Sequence, residues 1–304
     1  MNEPLQKKPV KPHDRRAGSL GRLGRNSGRR ILQSTAVLPG LATILNGLTG
    51  FAAIHYATKD ALGEVNLGNL VISAWLIFGA MVFDMLDGRL ARMTRRSSDF
   101  GGQLDSLCDV ISFGVAPAVL MLRTVVGAMR GQIELISSLP NDINAERVVW
   151  CIAALYMACA VLRLARFNVE NDPDESRHVD FRGLPTPAAA ATIAALVLLL
   201  TWLSDLGDSV RSSGWLMTTV SLTLPPAALI TALLMVSRFS YPHLVNQYIH
   251  GKRPFGYLVK IVALLLVGLW KPFIVAVVLT IAYALSGPVR WAWQKLRPRT
   301  AAQG

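Results

Sequence analysis

Apolar residues in this chain come in long unbroken runs rather than in short amphipathic windows. A helix needs about 20 predominantly apolar residues to cross the hydrocarbon of a bilayer. On that rule the pattern predicts membrane-spanning helices near Thr35–Ala57, Leu67–Ala91, Leu104–Val126, Val148–Leu164, Pro187–Leu203 and Trp215–Val236. A last apolar stretch, Tyr257–Leu285, is interrupted by Trp270, Lys271 and Pro272, and reads as two short spans joined by a tight turn, with a re-entrant hairpin as the other possibility. The fold class expected is therefore all-α, a polytopic membrane helix bundle of about eight transmembrane helices. Pro185 and Pro187 set the entry of the fifth span, and Pro225 with Pro226 predicts a kink in the sixth.

The polar residues between the runs supply an orientation. Arg92, Arg95 and Arg96 follow the second span, Arg163, Arg166, Arg177 and Arg182 the fourth, Arg238, Lys252 and Arg253 the sixth, and Arg290, Lys295, Arg297 and Arg299 close the chain. The alternate connections instead carry Asp60 and Glu64, then Glu134, Asp142 and Glu146, then Asp205 and Asp208. Positive residues are retained on the cytoplasmic side, so both termini and every basic connection are expected there, in the cell's inner membrane.

Charge completes this division. The chain is 52% apolar and only 16% charged, yet carries a net charge of +12, much of it in the first thirty-odd residues. Residues 1–34 are expected to form a disordered basic tail lying against anionic lipid. Nucleic-acid binding is not expected, because no aromatics interleave with the charge. The tail also precedes a full-length apolar run, which is unlike a cleavable leader. Cys108, Cys151 and Cys159 all lie in apolar runs without metal-knuckle or redox spacing and read as small apolar fillers. His243 and His250 lack a carboxylate at ligand spacing and read as solvated.

Against this background the segment Asp84–Asp109, DMLDGRLARMTRRSSDFGGQLDSLCD, is chemically expensive. Ionisable residues at membrane depth are rare and mark sites or pathways. Asp84 and Asp87 are three apart and Asp105 and Asp109 four apart, so each pair shares one helical face. A hairpin of the two helices brings the four together, where like charges cannot all remain ionised without a cation. All-oxygen ligation favours Mg²⁺ or Mn²⁺. Gly88 and Ala91 leave a shallow groove beside the acids, Arg92 is placed to grip phosphate oxygens, and Gly101 and Gly102 open the next helix, whose N-terminus favours an anion.

The spacing D-x2-D-G-x2-A-R-x8-G-x3-D-x3-D, met here by Asp84, Asp87, Gly88, Ala91, Arg92, Gly101, Asp105 and Asp109, resembles the signature of the CDP-alcohol phosphatidyltransferase family. The resemblance implies a six-helix core over residues 35–238. A C-terminal hairpin at 255–289 and a basic cytoplasmic tail at 290–304 would be additions. It implies transfer of a phosphatidyl group from a CDP-lipid to an alcohol, with metal held by Asp84, Asp87, Asp105 and Asp109 and with Asp109 as general base. Thr43, Asn46, Gly88, Ala91, Arg92 and Ser98 would bind the lipid nucleotide, and the assembly would be a homodimer.

Three further segments, DSLCDVISFGVAPA from Asp105, LRLARFN from Leu162 and FRGLPTP from Phe181, resemble the serine-using subgroup of that family. They imply CDP-diacylglycerol and L-serine as substrates. The first span is similar as well, but Pro39-Gly40 stands where many members carry Pro-Asn, so Gly40 is not assigned a nucleotide contact. Arg163, Arg166 and Asn168, with Arg182 nearby, are candidates for holding the serine carboxylate. Glycerol phosphate or inositol phosphate as acceptor is the alternative within the family. A divalent-ion transporter is the remote one, disfavoured because the acids gather at one face rather than across the bilayer.

Overall fold

The computed structural model describes residues 20–59, 66–94, 99–129, 143–170, 183–205, 214–241 and 271–296. Their regular structure is helical: α1 (Leu20–Thr58), α2 (Leu67–Thr94), α3 (Asp99–Asp109), a π-helical stretch (Val110–Val115), α4 (Ala116–Met129), α5 (Ile143–Glu170), α6 (Thr186–Asp205), α7 (Gly214–Val236) and α8 (Pro272–Leu296). Among the described residues, α2, the continuous α3–α4 rod, α5, α6 and α8 are each long and apolar enough to cross a membrane. The chain is an all-α, multi-pass membrane protein. Large apolar side chains such as Phe51, Trp75, Trp150, Leu162 and Val278 stand exposed on its outer surface, as hydrocarbon contact allows.

Helix α6 occupies the centre, packed against α2, α7 and α8. Its sequence, TPAAAATIAALVLLLTWLSD, explains the position. Ala189, Ala190, Ile193, Ala194, Val197 and Leu198 are wholly buried, and small residues let neighbouring backbones approach closely where dispersion, not the hydrophobic effect, drives association. The segment leading into α6 turns through Gly183 at φ 89°, a left-handed conformation that glycine adopts without penalty. A Cβ there would also lie 3.1 Å from Ser237 O. The Gly183 and Leu184 N–H groups donate to Phe239 O at 2.8 Å and Leu234 O at 3.0 Å, tying the start of α6 to the end of α7.

Two helix ends differ from the hydropathy reading. The first helix begins at Leu20, not Thr35, so part of the tail expected to be disordered is helical. The last runs through Pro288 to Leu296, past the expected boundary at Leu285 and into the expected basic tail. Hydropathy registers only the portion of a helix inside hydrocarbon, and a helix continues into the headgroup region when its residues permit. At α8 the exposed Trp291 and Trp293 and the last-turn Lys295 suit that interface. Residues 1–19, the first half of the expected C-terminal hairpin from Tyr257, His243, His250, Arg177 and Arg182 lie outside the described residues.

Helix α8 is fastened at both ends. Phe273 meets Trp75 and Trp202 with ring centroids 6.3 and 6.5 Å apart, and Lys271 lies 5.2 Å from the Trp202 ring. Towards its other end Trp291 meets Phe239 edge-on at 5.6 Å, and Tyr241 donates its hydroxyl to Ala284 O at 3.0 Å.

Candidate active site

The site lies where the C-terminal part of α2 and the whole of α3 come together against α1. Close helix approach is written into α1 as Asn46-Gly47 and Gly50. A Cβ at Gly47 would fall 2.9 Å from Cys108 Sγ, and one at Gly50 would fall 2.6 Å from Ser112 Cα. Only hydrogen fits at Gly50, and Gly47 sits close against Cys108, so α1 rests directly on the backbone carrying Asp105 and Asp109.

Polar contacts fix the register of that packing. Asn46 Nδ2 donates to Asp109 Oδ1 at 2.9 Å, and the backbone carbonyl of the same asparagine accepts from Ser112 Oγ at 2.9 Å. Ser112 belongs to the π-helical stretch that begins immediately after Asp109, where the Ala116 N–H reaches back to Ile111 O. A π turn leaves a carbonyl displaced from the ordinary ladder. Here Tyr156, wholly buried on α5, donates its hydroxyl to Phe113 O at 3.1 Å. The turn that follows the last aspartate is thereby held from α1 on one side and α5 on the other.

Of the four acids, Asp84, Asp105 and Asp109 converge, each offering one carboxylate oxygen within 4.8 Å of the other two. Asp87, expected as a fourth member, stands beside them against the side chain of Thr43 and the backbone of Gly88. Thr43 in turn donates its hydroxyl to Pro39 O at 3.0 Å. Asp87 and Asp109 are only 5% and 7% exposed. Asp87 Oδ2, Asp105 Oδ1 and Asn46 Oδ1 are buried with no hydrogen-bond partner. Buried acceptors are ordinarily satisfied, and orphaned oxygens beside three convergent carboxylates are the donor set that a hard divalent cation fits.

A cation, Arg163, sits within electrostatic reach of the cluster. Arg163, half-buried on α5, interacts with Asp84 and Asp109 and donates from Nη1 to Thr186 Oγ1, at the first residue of α6, at 3.1 Å. Its Nε is buried without a hydrogen-bond partner. Arg166 is half-buried one turn further along α5. Asn168 is exposed and pairs with Ser106, its Nδ2 donating to Ser106 Oγ at 2.9 Å. Ser106 Oγ also lies 3.1 Å from Gly102 O.

The groove expected beside the acids is open at Gly88, where a Cβ would meet no atom within 4 Å. Ala91 is half-buried on the same helix. Ser98 and the side chain of Arg92 lie outside the described residues. Ser106, Ser112, Thr186 and Tyr156 were not singled out from the sequence. Ser106 and Ser112 sit inside DSLCDVISFGVAPA and Thr186 inside FRGLPTP, which is the available signal. Tyr156 carries no mark, being one aromatic within an apolar run.

Comparison with known proteins bears on the same residues. The profile of the CDP-alcohol phosphatidyltransferase family matches residues 36–225, more than half of the chain. Among curated relatives, a CDP-diacylglycerol–serine O-phosphatidyltransferase of Helicobacter pylori is 32% identical over 163 residues, covering 54% of this chain and 58% of the relative. One from Mycobacterium tuberculosis is 31% identical over 196 residues, covering 64% and 58%. One from Methanocaldococcus jannaschii is 33% identical over 205 residues, covering 67% and 73%. The chain thus spans between about half and three quarters of the length of these relatives. On the family match, which takes in all four aspartates, the chain belongs to the CDP-alcohol phosphatidyltransferase family.

Proposed function

We propose that this protein transfers a phosphatidyl group from CDP-diacylglycerol to L-serine, giving phosphatidylserine and CMP. The observation that carries the reading is the convergence of Asp84, Asp105 and Asp109 within 4.8 Å at one end of the bundle, with the Arg163 guanidinium in reach. The names of the relatives favour serine among possible acceptors.

In this reading Asp84, Asp87, Asp105 and Asp109 would hold Mg²⁺ or Mn²⁺, since their oxygens match the preference of those ions. When bound, the ion supplies Lewis-acid polarisation of phosphoryl oxygens and neutralises charge on the leaving nucleotide. Asp109 accepts the proton of the serine hydroxyl. Asn46 holds its Oδ1, which orients the carboxylate and leaves Oδ2 for the proton. The serine oxygen then forms a bond to the β-phosphorus of the lipid nucleotide as the bond to CMP breaks, in one displacement without a covalent enzyme intermediate. Burial of Asp87 and Asp109 keeps water from competing as nucleophile.

The lipid nucleotide lies along the open side of α2 at Gly88 and Ala91, and Thr43, Asn46, Arg92 and Ser98 are the residues that bind it. Arg163 and Arg166 face the serine carboxylate, a pairing to which a guanidinium is well matched. Asn168 takes part through its hold on Ser106, next to Asp105. The basic connections that follow α2 and α5 favour a site at the cytoplasmic face of the inner membrane, with both termini on that side. The family resemblance favours a homodimer.

The test is CMP release by purified protein in lipid, with serine, glycerol phosphate and inositol phosphate compared, each with Mg²⁺ or Mn²⁺ and again after chelation. Serine-dependent release that disappears on chelation is the expected result. Release with only a phosphate-bearing acceptor would reassign the alcohol. Absence of release with every acceptor would overturn the reading.

A further inference from the structure

The turn that follows Asp109 is wider than the helix on either side of it. In the stretch Val110–Val115 the Ala116 N–H reaches Ile111 O, five residues back, so the turn takes in one residue more than an α-helix would. At 3.6 residues per turn, one residue amounts to a rotation of about 100°. Closing the wide turn while α4 stayed packed against α5 would swing the face of α3 that carries Asp105 and Asp109 away from Asp84, breaking up a group whose oxygens lie within 4.8 Å of one another.

Tyr156 meets this turn at a carbonyl that the sequence has deprived of its usual donor. In an ordinary helix Phe113 O would accept from the N–H of residue 117. Residue 117 is a proline, which has no N–H and whose ring crowds the carbonyl four residues before it. A buried carbonyl left unpaired is costly, and the Tyr156 hydroxyl donates to this one from α5 at 3.1 Å. Tyr156, Phe113 and Ser112 are all wholly buried, so the bond is shielded from water. One turn along α5, a Cβ at Gly114 would lie 3.5 Å from Ala160 Cβ, so α5 follows the wide turn closely. From the opposite side Ser112 Oγ donates to Asn46 O at 2.9 Å, and the Asn46 side chain donates to Asp109 Oδ1 at 2.9 Å. The turn is therefore gripped at two consecutive residues by two different helices, and one grip ends on Asp109 itself.

We propose that Tyr156 is a positioning residue for the reaction: its hydroxyl, bonded to Phe113 O, keeps the turn in its wide form and so fixes the rotation that aims Asp105 and Asp109 at Asp84. It acts through the main chain rather than on a substrate. This inference rests on the reading of Asp109 as proton acceptor and metal ligand, and deepens it.

The experiment uses the full chain in proteoliposomes and compares Tyr156→Phe with Ser73→Ala. Ser73 also donates a buried hydroxyl to a carbonyl of another helix, Ala53 O at 2.8 Å, but it lies eleven residues before Asp84 on α2, about 16 Å along the axis. At saturating serine, CDP-diacylglycerol and Mn²⁺, Tyr156→Phe should lower kcat by about three- to tenfold, the worth of one buried hydrogen bond, with both KM values unchanged. Ser73→Ala should leave kcat unchanged whatever it does to the melting temperature. In an Asn46→Ala background, where Asp109 has already lost its aim, Tyr156→Phe should cost less than it does alone. Mn²⁺ binding without substrates, read from the paramagnetic resonance signal of the free ion, should weaken in Tyr156→Phe and not in Ser73→Ala. An unaltered kcat in Tyr156→Phe overturns the proposal. So does an equal loss in Ser73→Ala, or the full cost of Tyr156→Phe in both backgrounds, since each marks a general structural role. Should Tyr156→Phe fail to fold, Ser112→Ala, which frees the same turn from α1, carries the comparison with the same expectations. Should the unaltered protein turn over no acceptor, the proposed reaction falls and Mn²⁺ binding decides alone: weakening confined to Tyr156→Phe keeps the positioning role, and equal binding removes it. Absence of both turnover and Mn²⁺ binding in the unaltered protein removes both.

Discussion

Asn46 and Asp109, sixty-three residues apart, meet through a 2.9 Å hydrogen bond in which the amide donates to the carboxylate. The bond joins α1 to the last turn of α3, and it exists because Gly47 and Gly50 let the two helices touch. If Asp109 takes the proton of the acceptor, Asn46 determines where its free oxygen points. A hydrogen bond to a charged group contributes about 1.5–3 kcal/mol, and each 1.36 kcal/mol is about tenfold in rate. Asn46→Ala should therefore lower kcat by roughly 10- to 100-fold at saturating substrates, with the protein still folded. A full-speed Asn46→Ala enzyme would remove Asp109 from the base role or Asn46 from its support.

Gly88 separates folding from binding. A Cβ there meets nothing within 4 Å, and alanine is favoured over glycine inside a helix by about 1 kcal/mol. Gly88→Ala should leave the melting temperature equal or slightly higher. If the lipid nucleotide approaches the backbone at this groove, the same variant should raise the KM for CDP-diacylglycerol by about tenfold or more, a cost typical of overfilling a contact. A variant that binds normally would show that the nucleotide lies elsewhere.

Gly50 is the opposite case. Its Cβ would collide with Ser112, reaching 2.6 Å from that residue's Cα, a backbone atom that cannot rotate away. Overpacking of this kind costs about 1–3 kcal/mol. Gly50→Ala should lower the melting temperature in detergent and reduce activity with it, because separating α1 from the π turn also breaks the Asn46 contact. Gly40→Ala, on the same helix but with open space around it, is the control and should do neither. Equal behaviour of the two variants would contradict the close packing described.

Much of the site was legible because its residues are costly. Carboxylates three and four apart near the ends of apolar runs have few explanations at membrane depth, and Arg163 is legible through LRLARFN and the basic connection that follows the fourth span. What escaped was tertiary. No periodicity distinguishes VISFGV as π-helical from the helix around it, so the wedge behind Asp109 could not be foreseen. The hydrogen bond of Asn168 to Ser106 depends on how α3 meets α5. The separation of Asp87 from the three convergent acids turns on Thr43, which lies on a third helix. Helix ends at Leu20 and Leu296 lie beyond the bilayer-length windows that hydropathy can detect.

The acids themselves can be told apart by charge. Asp84→Asn and Asp109→Asn each remove one negative charge from a group of oxygens within 4.8 Å, so both weaken the attraction for a divalent ion. Only the second also removes the proposed proton acceptor. Loss of even an indirect support for a bound metal lowers affinity by about 10- to 100-fold, and a lost ligand should do at least as much. Asp84→Asn should thus shift the Mg²⁺ or Mn²⁺ concentration for half-maximal activity upward by roughly that factor, with turnover recovering at high metal. Asp109→Asn should stay inactive at every metal concentration while still binding CDP-diacylglycerol, as measured by calorimetry on protein in lipid. Chelation should silence the unaltered enzyme, and added metal should restore it. Recovery of Asp109→Asn by metal alone would leave that residue a ligand only and move the proton to another group.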